Sequence, residues 1–176
     1  KLNILNETSK NQDIYLKTKI KKGSINSKDI KKNDIFFAIK GKNKDGNKFI
    51  NEAFNNGASL AVVNNISKLK KNSKKIKVKD TLKFLTKISE IVRRNFSSKI
   101  IAITGSCGKT SLKELLKQTL NKFGKVTSSP KSFNNRYGVP LSLFNLNLKH
   151  DFGVFEVGMD KKGEINSLSK IIKPNI

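Results

Sequence analysis

Ile100-Ile101-Ala102-Ile103-Thr104-Gly105-Ser106-Cys107-Gly108-Lys109-Thr110-Ser111 reads as a short buried strand, a glycine-bracketed loop and the start of a helix. Leu112, Leu115, Leu116 and Leu120 follow at helical spacing, which predicts an amphipathic helix behind the loop. A phosphate cradle needs this order. Gly105 and Gly108 allow a tight turn and a close backbone approach to an anion, and the free N–H groups of the first helical turn point at it. The backbone from Gly105 through Ser106, Cys107 and Gly108 to Ser111 would supply those donors. Lys109 would place a cation on the β- and γ-phosphates, and the Thr110 hydroxyl is placed to hold Mg²⁺. The position five before Gly108 is Ile103 rather than glycine, so the motif is the shorter T-G-x-x-G-K-T, which also fits a plain strand-to-helix turn. The strand before it and the helix after it point to ATP binding.

The formal net charge of +24 suggests a nucleic-acid partner, until its source is considered. Only Arg93, Arg94 and Arg136 are arginine; the other 34 basic residues are lysine, alongside 21 asparagines and 19 isoleucines. Lys, Asn and Ile are what AT-rich codons encode, so base composition can generate the charge. Nucleic-acid readers lean on arginine forks and exposed aromatics, whereas these lysines are scattered and the 11 phenylalanines mostly sit in apolar patterns. A solvated lysine surface is the expectation, with a basic nucleic-acid-binding module as the alternative from another class. No run of about 18 apolar residues is present to span a membrane. The single cysteine allows no internal disulfide and fits a reducing compartment, so a cytoplasmic location is expected. The chain opens at Lys1 and its one methionine is Met159, which suggests a piece of a longer protein.

The remaining pattern predicts an α/β protein in two parts. In residues 1–80, Asp34 to Ile39 reads as a strand ended by the turn formers Lys40 to Gly46. Phe49, Ile50, Ala53 and Phe54 have helical spacing up to Gly57, and Ala58 to Val63 is a second strand. Lys68 to Lys79 reads as an exposed lysine-rich stretch. A helix over 81–97, with Leu82, Leu85, Ile88, Val92 and Phe96 on one face, marks the boundary. In residues 81–176, strands at Lys125–Thr127 and Phe152–Val157 and a helix at 163–172 continue the alternation, which implies a parallel sheet with ligands at its carboxyl ends. Glu156 falls near the end of an apolar strand, where a carboxylate is costly unless it is paired or bound to a metal; a Mg²⁺ ligand and a structural ion pair are the two readings, the first favoured.

Several runs resemble the Mur ligase family: Thr104-Gly105-Ser106-Cys107-Gly108-Lys109-Thr110, Ser132-Phe133-Asn134-Asn135-Arg136-Tyr137-Gly138-Val139-Pro140-Leu141, and Phe155-Glu156-Val157-Gly158-Met159. The first half is similar to the family's uridine-nucleotide-binding domain through Asp34 to Gly41, Asp45-Gly46, Phe49 and Gly57-Ala58. The resemblance covers nearly the whole chain in order, and F-N-N-x-x-G-V-P-L with E-x-G-M is far more specific than the phosphate loop alone. Asn26-Ser27-Lys28 stands where the family often has Asp-Ser-Arg, Lys32-Asn33-Asp34 where Pro-Gly-Asp is usual, and Asn47 where His often follows Asp-Gly.

The resemblance implies a small N-terminal substrate-binding domain followed by an incomplete ATP-binding central domain. It implies ATP- and Mg²⁺-dependent amide ligation in peptidoglycan precursor synthesis, joining D-Ala-D-Ala to a UDP-N-acetylmuramoyl tripeptide through an acyl phosphate. A ligase of the same type acting on another amine, or a folylpolyglutamate-type synthetase, is the alternative. Ser27 and Asp45 are the matching positions for the uridine nucleotide, Thr110 and Glu156 would hold Mg²⁺, and Asn134 and Asn135 would flank the ATP, with turn or helix capping an equal alternative for either asparagine. A monomer is expected, and the family's amine-binding domain would follow Ile176, so these 176 residues alone are expected to make no peptide bond. Cys107 reads as a small packed residue rather than a reactive thiol, and His150 as a solvated loop residue.

Overall fold

The computed structural model describes residues 20–41, 43–64, 74–130 and 133–176. The chain divides between Ile88 and Ser89 into two compact units. Among the described residues the first unit holds a parallel sheet in the order β1 (Gly23–Ser24), β2 (Asp34–Phe37), β3 (Ala58–Val63) and β4 (Lys75–Lys77). All of β2 and the last four residues of β3 are buried, as expected of parallel strands covered on both faces. One core cluster joins Ile30, Phe36, Ala38, Ala61 and Val63 to Ile50 and Ala53 of helix α1 (Ile50–Asn55). Gly57 ends that helix at φ 106°, a left-handed geometry that favours glycine. The buried Asp34 carboxylate accepts from the N–H of Lys22 (3.2 Å) and of Lys31 (3.0 Å), tying β1 to the turn before β2.

The strand expected over 34–39 stops at Phe37, although the Ala38 N–H still donates to the Val62 carbonyl at 2.9 Å. The stretch Lys68 to Lys79, expected to be exposed, is so at Lys74, Lys77 and Lys79 but is not unstructured where it can be followed. Residues 68–73 lie outside the described residues, but Lys75–Lys77 is a strand registered on Ala61 to Val63, with Ile76 turned into the core. Period-two alternation, hidden by the lysine count, decides this segment. Helix α2 (Thr81–Arg94) buries Leu85, Ile88 and Val92 as its spacing predicts, and ends three residues before the expected Ser97.

In the second unit β5 (Lys99–Ile103), β7 (Phe152–Glu156) and β6 (Val126–Ser128) form a parallel sheet with β7 in the middle. Helices α3 (Lys109–Leu120), α4 (Gly138–Phe144) and α5 (Glu164–Ile172) accompany it. The sequence showed no periodicity for α4, all seven of whose residues are buried, because a helix apolar all round carries no amphipathic signal. Of the leucines expected to make one face of α3, Leu116 and Leu120 are half-buried, but Leu112 and Leu115 are 46% and 59% exposed, and the buried residue is Lys113. From α2, the Arg93 guanidinium donates to the carbonyls of Phe96 (2.9 Å), Ile172 (2.7 Å) and Lys173 (2.7 Å), closing the last turn of α5.

Candidate nucleotide and metal site

Strand register creates the site. Ile103 at the end of β5 pairs with Glu156 at the end of β7, so the loop 104–108 and the Glu156 carboxylate leave the sheet side by side. Gly108 takes φ 73° at the N-cap of α3, an angle that costs a residue with a Cβ about 1–2 kcal/mol. Nothing lies within 4 Å of where its Cβ would be, so backbone conformation rather than crowding selects glycine. Lys109 folds back over the loop, its Nζ donating to the Gly105 carbonyl at 2.6 Å and the Ser106 carbonyl at 3.3 Å. Ser106, Cys107 and Ser111 are exposed along the same loop and first turn. Exposure of Cys107 overturns its expected packing.

Glu156 is 4% exposed and fully engaged. Its Oε2 accepts from the Thr110 hydroxyl and its Oε1 from the Asn134 amide, each at 2.8 Å. Burial pushes its pKa up, but the bonds from Asn134 and Thr110 and the charges of Lys113 and Lys109 outweigh this, leaving it below its ordinary value. Asn134 is fixed in turn, its carbonyl accepting from the Gly158 N–H at 2.7 Å, and a Cβ on Gly158 would press on the Asn134 amide at 3.0 Å. The E-x-G-M and F-N-N runs thus meet at one carboxylate. Asn135 does something else: its Oδ1 accepts from the N–H groups of Tyr137 and Gly138, both at 3.0 Å, and so turns the chain into α4. His150 is a loop residue as expected, though half-buried, with its Nδ1 2.9 Å from the Thr127 hydroxyl.

The donors suit Mg²⁺. Thr110 and Glu156 offer hard oxygens, and among the described residues no cluster of three His, Cys, Asp or Glu forms an all-protein cage. Mg²⁺ takes one or two carboxylates plus nucleotide phosphates, which matches a lone carboxylate beside a phosphate loop.

The first unit holds a cavity of about 580 Å³ lined in part by Asn26, Ser27, Lys28, Lys44, Phe49 and Glu52. Ser27 is buried and its hydroxyl donates to Glu52 Oε2 at 2.7 Å. Asp45 sits beside the lining residue Gly46, with its carboxylate turned to Asn47: Oδ1 accepts from the Asn47 N–H (3.0 Å) and side-chain amide (2.6 Å). Those two bonds hold the Asp45 pKa below its ordinary value against a small opposing effect of burial, with Lys40 and Lys48 adding to the lowering. Lys28 was marked in the sequence only as the neighbour of Ser27, and Glu52 and Lys44 carried no signal, since only folding brings α1 and the turn before Gly46 to the Ser27 turn.

Residues 103–176 match the Mur ligase middle domain and residues 19–93 match the Mur ligase family catalytic domain, leaving out only 1–18 and 94–102. The UDP-N-acetylmuramoyl-tripeptide–D-alanyl-D-alanine ligase of Rickettsia prowazekii is 40% identical over 151 residues, 86% of this chain and 33% of the relative. A crystal structure of MurF from Acinetobacter baumannii superposes with a TM-score of 0.84 at 30% identity, covering 98% of this chain and 38% of that one. MurF of Thermotoga maritima, solved in complex with ADP, gives 0.71 at 33% identity over 88% of this chain and 36% of its own. The chain therefore spans about a third of the length of the relatives it matches. With both of its units matched in order, and its phosphate loop, Asn134 and Glu156 gathered at the carboxyl ends of one parallel sheet, the chain belongs to the Mur ligase family.

Proposed function

We propose that this chain supplies the ATP-binding and UDP-sugar-binding parts of a cytoplasmic, monomeric ligase that joins D-Ala-D-Ala to a UDP-N-acetylmuramoyl tripeptide. One observation carries the reading: Thr110, next to the loop lysine, bonds the buried Glu156 at the carboxyl end of β7. A hydroxyl and a carboxylate so joined beside a phosphate loop form the protein side of a nucleotide–Mg²⁺ site. The nucleotide bound in the Thermotoga maritima relative supports the same reading.

In the reaction, the γ-phosphoryl of ATP passes to the tripeptide carboxylate, giving ADP and an acyl phosphate. The amine of D-Ala-D-Ala then displaces inorganic phosphate to form the amide. Phosphoryl transfer needs positioning and charge stabilisation more than covalent participation. Lys109 would leave the Gly105 and Ser106 carbonyls for the transferring phosphoryl oxygens, while the N–H groups from Gly105 to Ser111 hold the β-phosphate. Thr110 and Glu156 would hold Mg²⁺, which supplies charge neutralisation at the phosphates. Asn134 keeps the Glu156 carboxylate aimed at the loop, and Asn135 shapes the segment that carries Asn134. In the first unit, the cavity offers the exposed Phe49 ring for stacking a base, Lys28 and Lys44 for a diphosphate, and the Ser27–Glu52 pair for ribose hydroxyls. Asp45 would act there by fixing the turn that presents Gly46.

Calorimetric titration of the chain with Mg-ADP, with UDP-N-acetylmuramoyl tripeptide and with a random DNA duplex tests this. Both nucleotides should bind independently and the duplex should displace neither. Lys109→Ala should weaken ADP binding alone and Ser27→Ala should weaken tripeptide binding alone. Duplex binding that competes with ADP would overturn the ligase reading in favour of a nucleic-acid module.

A further inference from the structure

Lys113 lies one helical turn beyond Lys109 and is the buried residue of α3, its side chain at 0% exposure. Its Nζ is 3.6 Å from Glu114 Oε1 and 3.8 Å from Glu156 Oε2, and no acceptor among the described residues reaches it within hydrogen-bond distance. An ammonium buried without a hydrogen bond is costly, and burying one normally requires a charge partner. The same helix leaves Leu112 and Leu115 in solvent. Leu116 and Leu120 are only half-buried, so apolar packing does not account for a cation as the most buried residue of α3.

Glu156 accounts for it. The carboxylate is buried, and the groups bonded to it, Thr110 and Asn134, are both neutral. Lys109 is occupied with the Gly105 and Ser106 carbonyls. That leaves Lys113 as the nearest cation to Glu156 among the described ion pairs, on the same Oε2 that Thr110 bonds.

We propose that Lys113 is the resident counter-ion of Glu156: a positioning residue that balances and holds the metal-binding carboxylate when no divalent ion is present, and that repels such an ion when it arrives. The inference rests on Glu156 being the metal carboxylate of the proposed ligase site. Its functional consequence is a site that stays assembled without metal yet binds it weakly enough to release Mg-nucleotide product.

The test uses this chain with ADP present, and compares thermal unfolding with and without Mg²⁺ and Mn²⁺ binding followed by electron paramagnetic resonance. Lys113→Met should melt several degrees below wild type without a divalent ion, regain most of that loss with Mg²⁺, and bind Mn²⁺ about tenfold more tightly because a like charge has gone. Lys113→Arg should stay near wild type in both measurements. Glu156→Gln should remove the Mg²⁺ effect, and adding Lys113→Met to it should cost no further stability. If Lys113→Met fails to fold while the double variant folds, the pairing is supported; if both fail, it is overturned. An equal loss of stability with and without Mg²⁺, with Mn²⁺ affinity unchanged, would make Lys113 merely structural and end the proposal while leaving the metal reading intact. Undiminished Mn²⁺ binding in Glu156→Gln would instead refute the metal reading, and the counter-ion role with it.

Discussion

The phosphate loop and the cavity of the first unit are both proposed nucleotide sites, but they are built in opposite ways. The loop is one continuous run from Gly105 to Ser111 whose geometry follows from two glycines and a helix start. The cavity draws on the Ser27 turn, the Gly46 turn and α1, and its central bond joins Ser27 to Glu52, 25 residues apart. A contiguous site keeps its shape as long as one strand-to-helix joint does. An assembled site depends on the packing of every segment that lines it. Substitutions should therefore act locally and sharply in the loop, and more diffusely in the cavity.

The largest expected effect is in the loop. In the complete enzyme, Lys109→Ala should lower kcat by 10²-fold or more, the scale typical of removing one preorganised electrostatic contact from a transition state. Binding of the UDP-sugar to the first unit should be unchanged. Steady-state kinetics with all three substrates saturating, beside a direct UDP-sugar titration, checks the contrast. Loss of both functions together would show that the two regions are not independent.

Ser27→Ala comes next. It removes a hydrogen bond to a carboxylate, a contact worth about 1.5–3 kcal/mol to the fold, and with it a hydroxyl of the cavity lining, so UDP-sugar binding should weaken. Mg-ADP affinity should hold. Because the bond also ties the Ser27 turn to α1, the first unit should melt at lower temperature as well, which a loop substitution such as Lys109→Ala should not produce.

What could be read from the sequence follows the same division. The phosphate loop was legible because φ preference and helix N–H geometry are local properties, and β2, β3 and β7 were legible because buried parallel strands are continuously apolar. Asn33 is instructive. It stands where the family usually has glycine, and the structure puts it at φ 73°, a left-handed angle that asparagine tolerates better than most residues. The departure preserves the backbone. Strand β4 was hidden because its flanking lysines mask one buried isoleucine, and α4 because a helix buried all round has no periodic face. The burial of Lys113 was not legible in the leucine pattern, of which only Leu116 and Leu120 are half-buried, since the period of a sequence says which residues share a face but not which face a charged site will claim.

Gly108→Ala sharpens the comparison from the loop side. No atom crowds the position, so the cost is the left-handed backbone alone, about 1–2 kcal/mol. Chemical denaturation should show that loss with an unchanged m-value, and Mg-ADP should bind more weakly because the cradle must distort. The cavity should still take UDP-sugar at full affinity.

The smallest effect is expected at Asp45, and its sign depends on pH. The carboxylate accepts from the Asn47 backbone and side chain, which holds its pKa below the ordinary value in the folded chain. A group with a depressed folded-state pKa contributes stability that is fully present above its unfolded pKa, near pH 4, and is lost as pH falls through the folded value. Asp45 is only partly buried, so solvent screening keeps the contribution under about 1 kcal/mol, the usual scale of a capping residue. Asp45→Ala should therefore be slightly less stable than wild type at pH 7, with the difference shrinking as the pH is taken below 4. Asp45→Asn can still accept from the Asn47 N–H but does not ionise, so it should retain part of the stability at pH 7 and show no loss of its own in acid. Denaturation of the three proteins at pH 7, 4 and 3 measures this. A wild-type advantage over Asp45→Ala that persists unchanged at pH 3 would show that shape, not charge, is what Asp45 gives to the Gly46 turn.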